Sequence, residues 1–289
     1  FRIAFFLYNP YYVCMFGFFF KKNLCDVWDN IFYVVIVNFF SLIALSVTAF
    51  AMKVEFFSKI PEIYRYPVLF VTFIAGCILI CTIAFAGSEN AVAAANFNSP
   101  RYGNFFKRIL PSFKDGAFSG LFIGLVATVA CVSLPFYYRM WRPSDGSNGS
   151  PLWLVFMVMI FWFILTTVFA FQWFLPVRAI MKNNYLKCLK KCYIIFFDNM
   201  SFTFWVTFVN FLNTLLTLVT FGLYPGMTGV IFTNVNALRI CLYKYDWLEV
   251  NPGISLEQRK NVPWEDLIAK DRKTLGPRTL KGFIFPWKE

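Results

Sequence analysis

Three aspartates recur beside basic residues along the chain, and carboxylates of this kind are the first groups that could do acid–base chemistry here. The stretches are KKNLCDVWDN at 21–30, KRILPSFKDG at 107–116 and KKCYIIFFDN at 190–199. In each of them Asp29, Asp115 or Asp198 is followed by Asn or Gly. Such a pair also suits the start of a helix, where backbone N–H groups lack partners. We interpret the three aspartates as helix-start residues, not as catalytic groups.

The other reactive residue types form no catalytic or metal-binding pattern. The chain has no histidine, which is the most common general base and metal ligand. Cys77 with Cys81 and Cys188 with Cys192 are four residues apart, whereas structural zinc sites use shorter paired spacings. The sequence contains neither a phosphate-binding glycine loop nor a nucleophile elbow. We therefore expect no enzyme activity, no metal and no cofactor.

Composition predicts an all-α membrane protein. Of the 289 residues, 59% are hydrophobic and 21% aromatic, which exceeds what a soluble surface tolerates. A bilayer core about 30 Å thick needs about 20 apolar helical residues to cross it. Uncharged apolar runs of that size lie at 31–52, 67–85, 117–137, 152–174 and 202–223. These five runs are predicted membrane spans.

A sixth span at 226–242 is predicted from charge, because hydropathy alone leaves it open. The run is shorter and contains Asn234, Asn236 and Arg239. Lys and Arg concentrate in cytoplasmic loops, and with a sixth crossing 22 of the 27 basic residues lie on one side. We therefore predict six spans in three helical hairpins, with both termini in the cytoplasm.

The predicted organisation has three parts. An aromatic N-terminal segment, 1–28, is expected at the membrane interface, the transmembrane bundle covers 29–242, and a charged cytoplasmic tail covers 243–289. Within the tail, PWEDLIAKDRKTLG at 263–276 has early acids, late bases and a Gly-Pro stop, which predicts one short helix. The ending FIFPWKE is expected to return to the membrane interface or to dock on a partner.

Three stretches form a recognisable order along the chain: VWDNIFYVVIVNFF with Asn38 in the first span, FFKRILPSFKDGAFSGLFIGLV, and NNYLKCLKKCYIIFFDN before another apolar span and a Pro-Gly turn. In these features the sequence resembles the YesL-like family of bacterial membrane proteins. This resemblance covers about 29–242 and implies an accessory protein of carbohydrate uptake or polysaccharide use, in the inner membrane of a bacterium. It implies no catalytic residues.

Two sets of residues inside the predicted spans are candidate functional residues. Gly116, Gly120 and Gly124 lie on one face of the third span, and small residues at that spacing let two helix backbones approach closely. The partner helix is either internal or part of another subunit. The second set is polar and comprises Asn38, Gln172, Asn210 and Asn213. These residues either line a path for a solute or bridge helices by hydrogen bonds.

The net charge of +12 is expected of a positive-inside protein facing anionic lipid, so no nucleic-acid partner is predicted. Lys107, Arg108, Lys190 and Lys191 are predicted to contact anionic lipid or to form a docking surface for a membrane protein complex. The most favoured function is a non-enzymatic accessory or scaffolding subunit. The alternative is a transporter or channel with a solute path between the hairpins.

Overall fold

The computed structural model describes residues 10–58, 61–143, 149–253, 255, 259 and 261–277, and helices make up the regular structure of these residues. In chain order they are α1 (Pro10–Asp29), α2 (Ile31–Phe57), α3 (Glu62–Ala95), α4 (Tyr102–Ile109), α5 (Phe113–Trp141), α6 (Pro151–Phe171), α7 (Phe174–Met181), α8 (Tyr185–Asp198), α9 (Met200–Val219), α10 (Gly226–Val250) and α11 (Trp264–Leu275). The all-α prediction is confirmed for this part of the chain.

Five stretches of helix are long and apolar enough to cross a membrane. They are Ile31–Phe57, Ile63–Ala95, Phe113–Trp141, Pro151–Met181 and Met200–Val219. Each coincides with one of the five runs predicted from hydropathy, and the protein is therefore a multi-pass membrane protein by length and composition. The agreement has a simple cause, because the length of an uncharged run is a local property of the chain.

Helix α10, which contains the predicted sixth span, lies at the centre of the bundle. It packs against α1, α2, α3, α7 and α9. From Gly226 to Cys241 most of its residues are buried, on every side of the helix. A helix surrounded by protein has no need of a uniformly apolar surface, since its polar groups can bond to neighbouring helices. This position accounts for its low hydropathy.

The other spans pack in pairs that are neighbours along the chain. Helix α2 packs against α3, α5 against α6, and α9 against α10, while α3 also packs along the length of α5. The short helices α7 and α8 pack against each other and connect α6 to α9. Two clusters of buried apolar side chains fill the bundle, one around Trp173 and Phe174 and one around Val34 and Phe232.

The N-terminal helix and the tail helix belong to this packing. Met15, Phe19 and Cys25 of α1 are buried, and α1 packs against both α10 and α11. The predicted tail boundary at 243 falls inside α10, which continues unbroken to Val250. Helix α11 matches the predicted helix to within one residue at each end. Residues 1–9 and the ending at 283–289 lie outside the described residues.

The interpretation of two aspartates as helix-start residues is wrong. Asp29 ends α1 and Asp198 ends α8, and only Asp115 lies in the first turn of its helix. The junction residues are the following asparagines. Asn30 donates to the carbonyl of Asp26 at 2.7 Å, and Asn199 donates to that of Ile195 at 3.2 Å. A side-chain bond back to the carbonyl four residues earlier competes with helix continuation, which favours a break at each asparagine.

Candidate functional site

The three glycines of α5 face α3. A methyl group added to Gly120 would lie 2.5 Å from the backbone of Ile78, and one added to Gly116 would overlap the backbone of Thr82. At Gly124 it would meet the end of the Ile74 side chain. The partner helix is therefore within the same chain, and the absence of side chains lets the two backbones approach closely.

Asn38 forms a bridge between the first span and the segment that begins α10. Its Nδ2 group donates to the carbonyls of Leu223 at 2.9 Å and Pro225 at 2.7 Å. Its Oδ1 accepts from the backbone N–H of Thr228 at 2.9 Å and from the Thr228 hydroxyl at 2.8 Å. The side chain is buried, and both of its polar atoms are fully occupied by the chain itself.

The other intramembrane amides also bond between helices. Asn210 donates to Oδ1 of Asn234 at 2.7 Å, and Asn213 donates to the hydroxyl of Thr233 at 2.9 Å, so both join α9 to α10. Gln172 accepts from the Thr207 hydroxyl at 3.2 Å. Asn38 lies apart from this group, against the turn before α10. The four residues predicted as a polar path thus make separate bridges.

A groove of about 480 Å³ opens beside Asn38, between the middle of α2 and the end of α9. Its walls are mainly apolar side chains, with only Asn38, Ser41 and Thr217 as polar members. The apolar members are Leu42, Leu45, Ile80, Leu218, Phe221 and Met227. Such a surface suits lipid chains or an apolar partner better than a polar solute.

Of the four basic residues predicted as contacts, three are exposed. Lys107 and Lys190 are exposed, and Arg108 is half exposed while it pairs with Glu89 at 2.7 Å. Lys191 is partly buried, and its ammonium group lies 3.2 Å from the sulfur of Met181. They lie on α4 and α8, the short helices that precede the spans α5 and α9.

The aspartates of the second and third stretches are held by later basic residues. Asp115 pairs with Arg178 at 3.0 Å, which joins the start of α5 to α7. Asp198 pairs with Lys244 at 2.8 Å, which joins the end of α8 to α10. Burial by itself would raise the pKa of Asp198, but hydrogen bonds from Lys244 and the charge of its ammonium group lower it overall. Both carboxylates therefore take part in ion pairs that connect helices.

The most buried charges were not singled out by sequence. Lys22 and Asp26 of α1 form an ion pair at 2.5 Å with side chains 3% and 9% exposed. Asn236 donates to the same carboxylate at 2.9 Å, and Lys22 also donates to the carbonyl of Ala94 at 3.2 Å. Burial lowers the pKa of Lys22 and raises that of Asp26, because desolvation disfavours both charges, and the opposite charge of the partner counteracts each shift.

A second pair lies next to it and includes the tail helix. Arg239 of α10 pairs with Asp271 of α11 at 3.0 Å, and the Tyr243 hydroxyl donates to the same carboxylate at 2.8 Å. The ring of Phe97 connects the two pairs, with the Lys22 ammonium 3.9 Å and the Arg239 guanidinium 5.4 Å from its centre. Both distances are within the range of a cation–π contact.

Phe97 has a strained backbone conformation. Its φ of 61° is in the left-handed region, at the site after a helix where glycine is usual. The N–H groups of Phe97 and Asn98 bond the carbonyls of Ala94 and Ala93, both at 2.9 Å, which closes the end of α3. A bulky residue in this conformation persists where its surroundings compensate, and the surroundings of Phe97 include the two cations that contact its ring.

We call Lys22, Asp26, Phe97, Asn236, Arg239 and Asp271 the buried charge cluster. It joins α1, the end of α3, α10 and the tail helix α11, and its charges are matched in pairs. The sequence did hold a partial signal, since Lys22 and Asp26 have the i, i+4 spacing of a helical ion pair. The link to Asn236 spans 210 residues and has no local signal.

The polar and charged side chains of this site connect helices to one another. Within the described residues, no three Cys, Asp or Glu side chains are grouped as metal ligands. Fold and site together define a helical multi-pass membrane protein with a charged cluster beside its spans. No protein-family model, no curated protein and no solved structure matches this chain.

Proposed function

We propose that the protein is a non-enzymatic accessory or scaffolding subunit of a membrane protein complex. The observation that carries this proposal is the use of the intramembrane amides, since Asn38 satisfies both of its polar atoms within the chain. Asn210 and Asn213 likewise bond to α10. A solute path needs polar groups turned toward a passage, whereas these groups hold helices together.

The topology within this proposal is six spans in three hairpins, α2 with α3, α5 with α6, and α9 with α10. Support comes from the place of α10 at the centre of the bundle, where it contacts spans α2, α3 and α9. The distribution of basic residues supports termini in the cytoplasm, and the resemblance to a family of bacterial membrane proteins supports a bacterial inner membrane. The alternative, a transporter or channel, needs a passage that avoids this central helix.

A role beside a carbohydrate importer is proposed from the resemblance to the YesL-like family. The surface offered to a partner is the set of basic residues on α4 and α8, because Lys107, Arg108 and Lys190 project from the two short helices that precede spans. Positive residues there also attract anionic lipid, at about 1 kcal/mol each near such a surface. Docking and lipid contact therefore have to be separated by experiment.

The test is gentle purification from native membranes, followed by identification of the proteins that accompany the chain. We expect changing Lys107, Arg108, Lys190 and Lys191 together to Gln to abolish this association while the spans stay inserted. The matched control changes four other exposed basic residues of the same predicted side, Arg101, Lys114, Lys182 and Lys187. Equal recovery of partners with both variants would remove the docking surface and leave contact with lipid.

A further inference from the structure

A cavity of about 410 Å³ lies where α8 meets α9, between these helices, α1, α10 and α11. One part of its wall is apolar and is formed by Met15, Phe16, Phe202, Phe204 and Ile240. The other part is polar and is formed by Asp198, Asn199, Ser201 and Lys244. A site lined by both charged and aromatic side chains suits an amphipathic ligand.

The cavity lies at the start of a predicted membrane span. Helix α9 has 20 residues and is one of the helices long and apolar enough to cross a membrane. Its first residue, Met200, lines the cavity. Phe204, one turn farther along the helix, also lines it and is 44% exposed. A membrane lipid beside α9 can therefore reach the cavity.

The polar part of the cavity wall contains one positive group, Lys244, next to one negative group, Asp198. The Lys244 ammonium lies 2.8 Å from the Asp198 carboxylate and 2.9 Å from Oδ1 of Asn199. The Tyr245 hydroxyl donates to the same carboxylate at 2.9 Å. Asp198 remains 46% exposed, so one edge of its carboxylate can still accept a hydrogen bond.

Backbone donors add to the positive side. The first N–H groups of a helix have no partner within it and favour an anion. The side chain of Asn199 does not cap α9, and Met200, Ser201 and Phe202 of its first turn all line the cavity.

Trp264 of the tail helix adds an unpaired hydrogen-bond donor to this cavity. It lines the cavity and is 3% exposed. Its indole N–H has no hydrogen-bond partner among the described residues, although a buried indole N–H usually has one. An acceptor on a molecule held in the cavity would satisfy it.

We propose that this cavity binds the headgroup of a phospholipid that carries a primary ammonium group, as an ethanolamine phospholipid does. Its phosphate lies against Lys244 and the first turn of α9, its ammonium donates to Asp198, and an acyl chain lies along Phe204. Each charge of the headgroup then lies next to the opposite charge of the Lys244–Asp198 pair. A choline headgroup has no N–H to donate, and a purely anionic headgroup meets the Asp198 carboxylate. The site does not depend on the accessory role proposed above.

The experiment measures lipid retention by the purified, delipidated full chain, using native mass spectrometry. The probes are phosphatidylethanolamine, phosphatidylcholine and phosphatidylglycerol with identical acyl chains. We expect the ethanolamine lipid to be retained at a concentration about tenfold lower than the choline lipid, which corresponds to about 1.4 kcal/mol. Equal retention of all three lipids, or a preference for phosphatidylglycerol alone, would overturn the proposal with no variant needed.

Variants then locate the site. Asp198→Asn should remove the preference for ethanolamine over choline, and Ser201→Phe, which fills the cavity, should lower retention of both. Asp246→Asn is the matched control, because Asp246 is an exposed aspartate on α10 that does not line the cavity. An unchanged ethanolamine preference in the folded Asp198→Asn and Ser201→Phe proteins would place the lipid elsewhere and overturn the assignment.

Discussion

Single polar residues inside this bundle act as connections between helices that are far apart in sequence. Asn38 shows this most fully, since its two polar atoms make four hydrogen bonds to the turn before α10 and to the first turn of that helix. A buried polar group that is fully bonded specifies one arrangement of its neighbours. The residue thus determines where α10 begins relative to α2.

Replacing Asn38 tests that role. Asn38→Leu leaves two carbonyls and the Thr228 groups without their partner, and at about 1 kcal/mol for each bond we expect a loss of about 2–4 kcal/mol in stability. Thermal unfolding in mild detergent measures it. The control is Ser46→Leu, an exposed position on the same helix that should change little. An Asn38→Leu protein as stable as the control would show that these bonds contribute nothing.

The ion pair between Lys22 and Asp26 can be tested by comparing a single with a double substitution. We expect the single change to destabilise the protein and the second change to restore part of the lost stability. Lys22→Met leaves a buried carboxylate without its counter-charge, which costs about 3–5 kcal/mol. Adding Asp26→Leu removes that charge, so the double variant should be more stable than the single one, although Asn236 then loses its acceptor. Denaturant unfolding of the three proteins decides. A double variant less stable than Lys22→Met would contradict the argument.

At the scale of helices, the close contact of α5 with α3 depends on residues without side chains. The contact follows Gly116, Gly120 and Gly124 along one face of α5. In a membrane, apolar surfaces gain little from burial because lipid is equally apolar, so close packing has to supply the stability. The glycine spacing therefore matters more here than it would in a soluble helix pair.

The glycine contact predicts opposite effects of the same substitution at two sites. Gly120→Ala places a methyl group 2.5 Å from the backbone of Ile78, and overpacking of this kind costs about 1–3 kcal/mol. Gly17→Ala in the middle of α1 meets no atom within 4 Å and should gain up to about 1 kcal/mol from helix propensity. The melting temperature in detergent should be lower than that of the parent protein for Gly120→Ala and higher for Gly17→Ala. A Gly120→Ala protein that melts no lower than the parent would refute the tight contact.

For the whole molecule, the tail helix and the N-terminal helix are parts of one assembly with the spans. Ile268 and Trp264 of α11 are buried, and Asp271 binds Arg239 of α10. The two ends of the described chain therefore meet on one side of the bundle. This is consistent with the proposed topology, in which both termini share the cytoplasm.

Labelling of single introduced cysteines tests that topology. Ser150→Cys lies between α5 and α6 and should react with a membrane-impermeant maleimide on intact cells. Gly253→Cys follows α10 and should react only after the cells are opened; a side chain at this position meets no atom within 4 Å. The parent chain, which has eight cysteines, gives the background. Labelling of position 253 from outside would eliminate the sixth crossing.

Local properties of the chain were enough to predict the class of protein, the five spans and the tail helix. Apolar length decides whether a segment can cross a bilayer, and residues near the ends decide where a helix stops. The predicted helix at 263–276 and the observed Trp264–Leu275 agree for this reason. The glycine face of α5 was likewise visible as a four-residue spacing.

Only the tertiary structure decided which residues meet. It placed α3 against the glycines, put α10 at the centre, and joined Asp26 to Asn236 across 210 residues of chain. In the sequence Lys22 is one of 27 basic residues. In the structure it is buried and forms an ion pair with Asp26. The physical reason is that solvation and pairing depend on neighbours from other helices, and these neighbours leave no periodic or local pattern in the sequence.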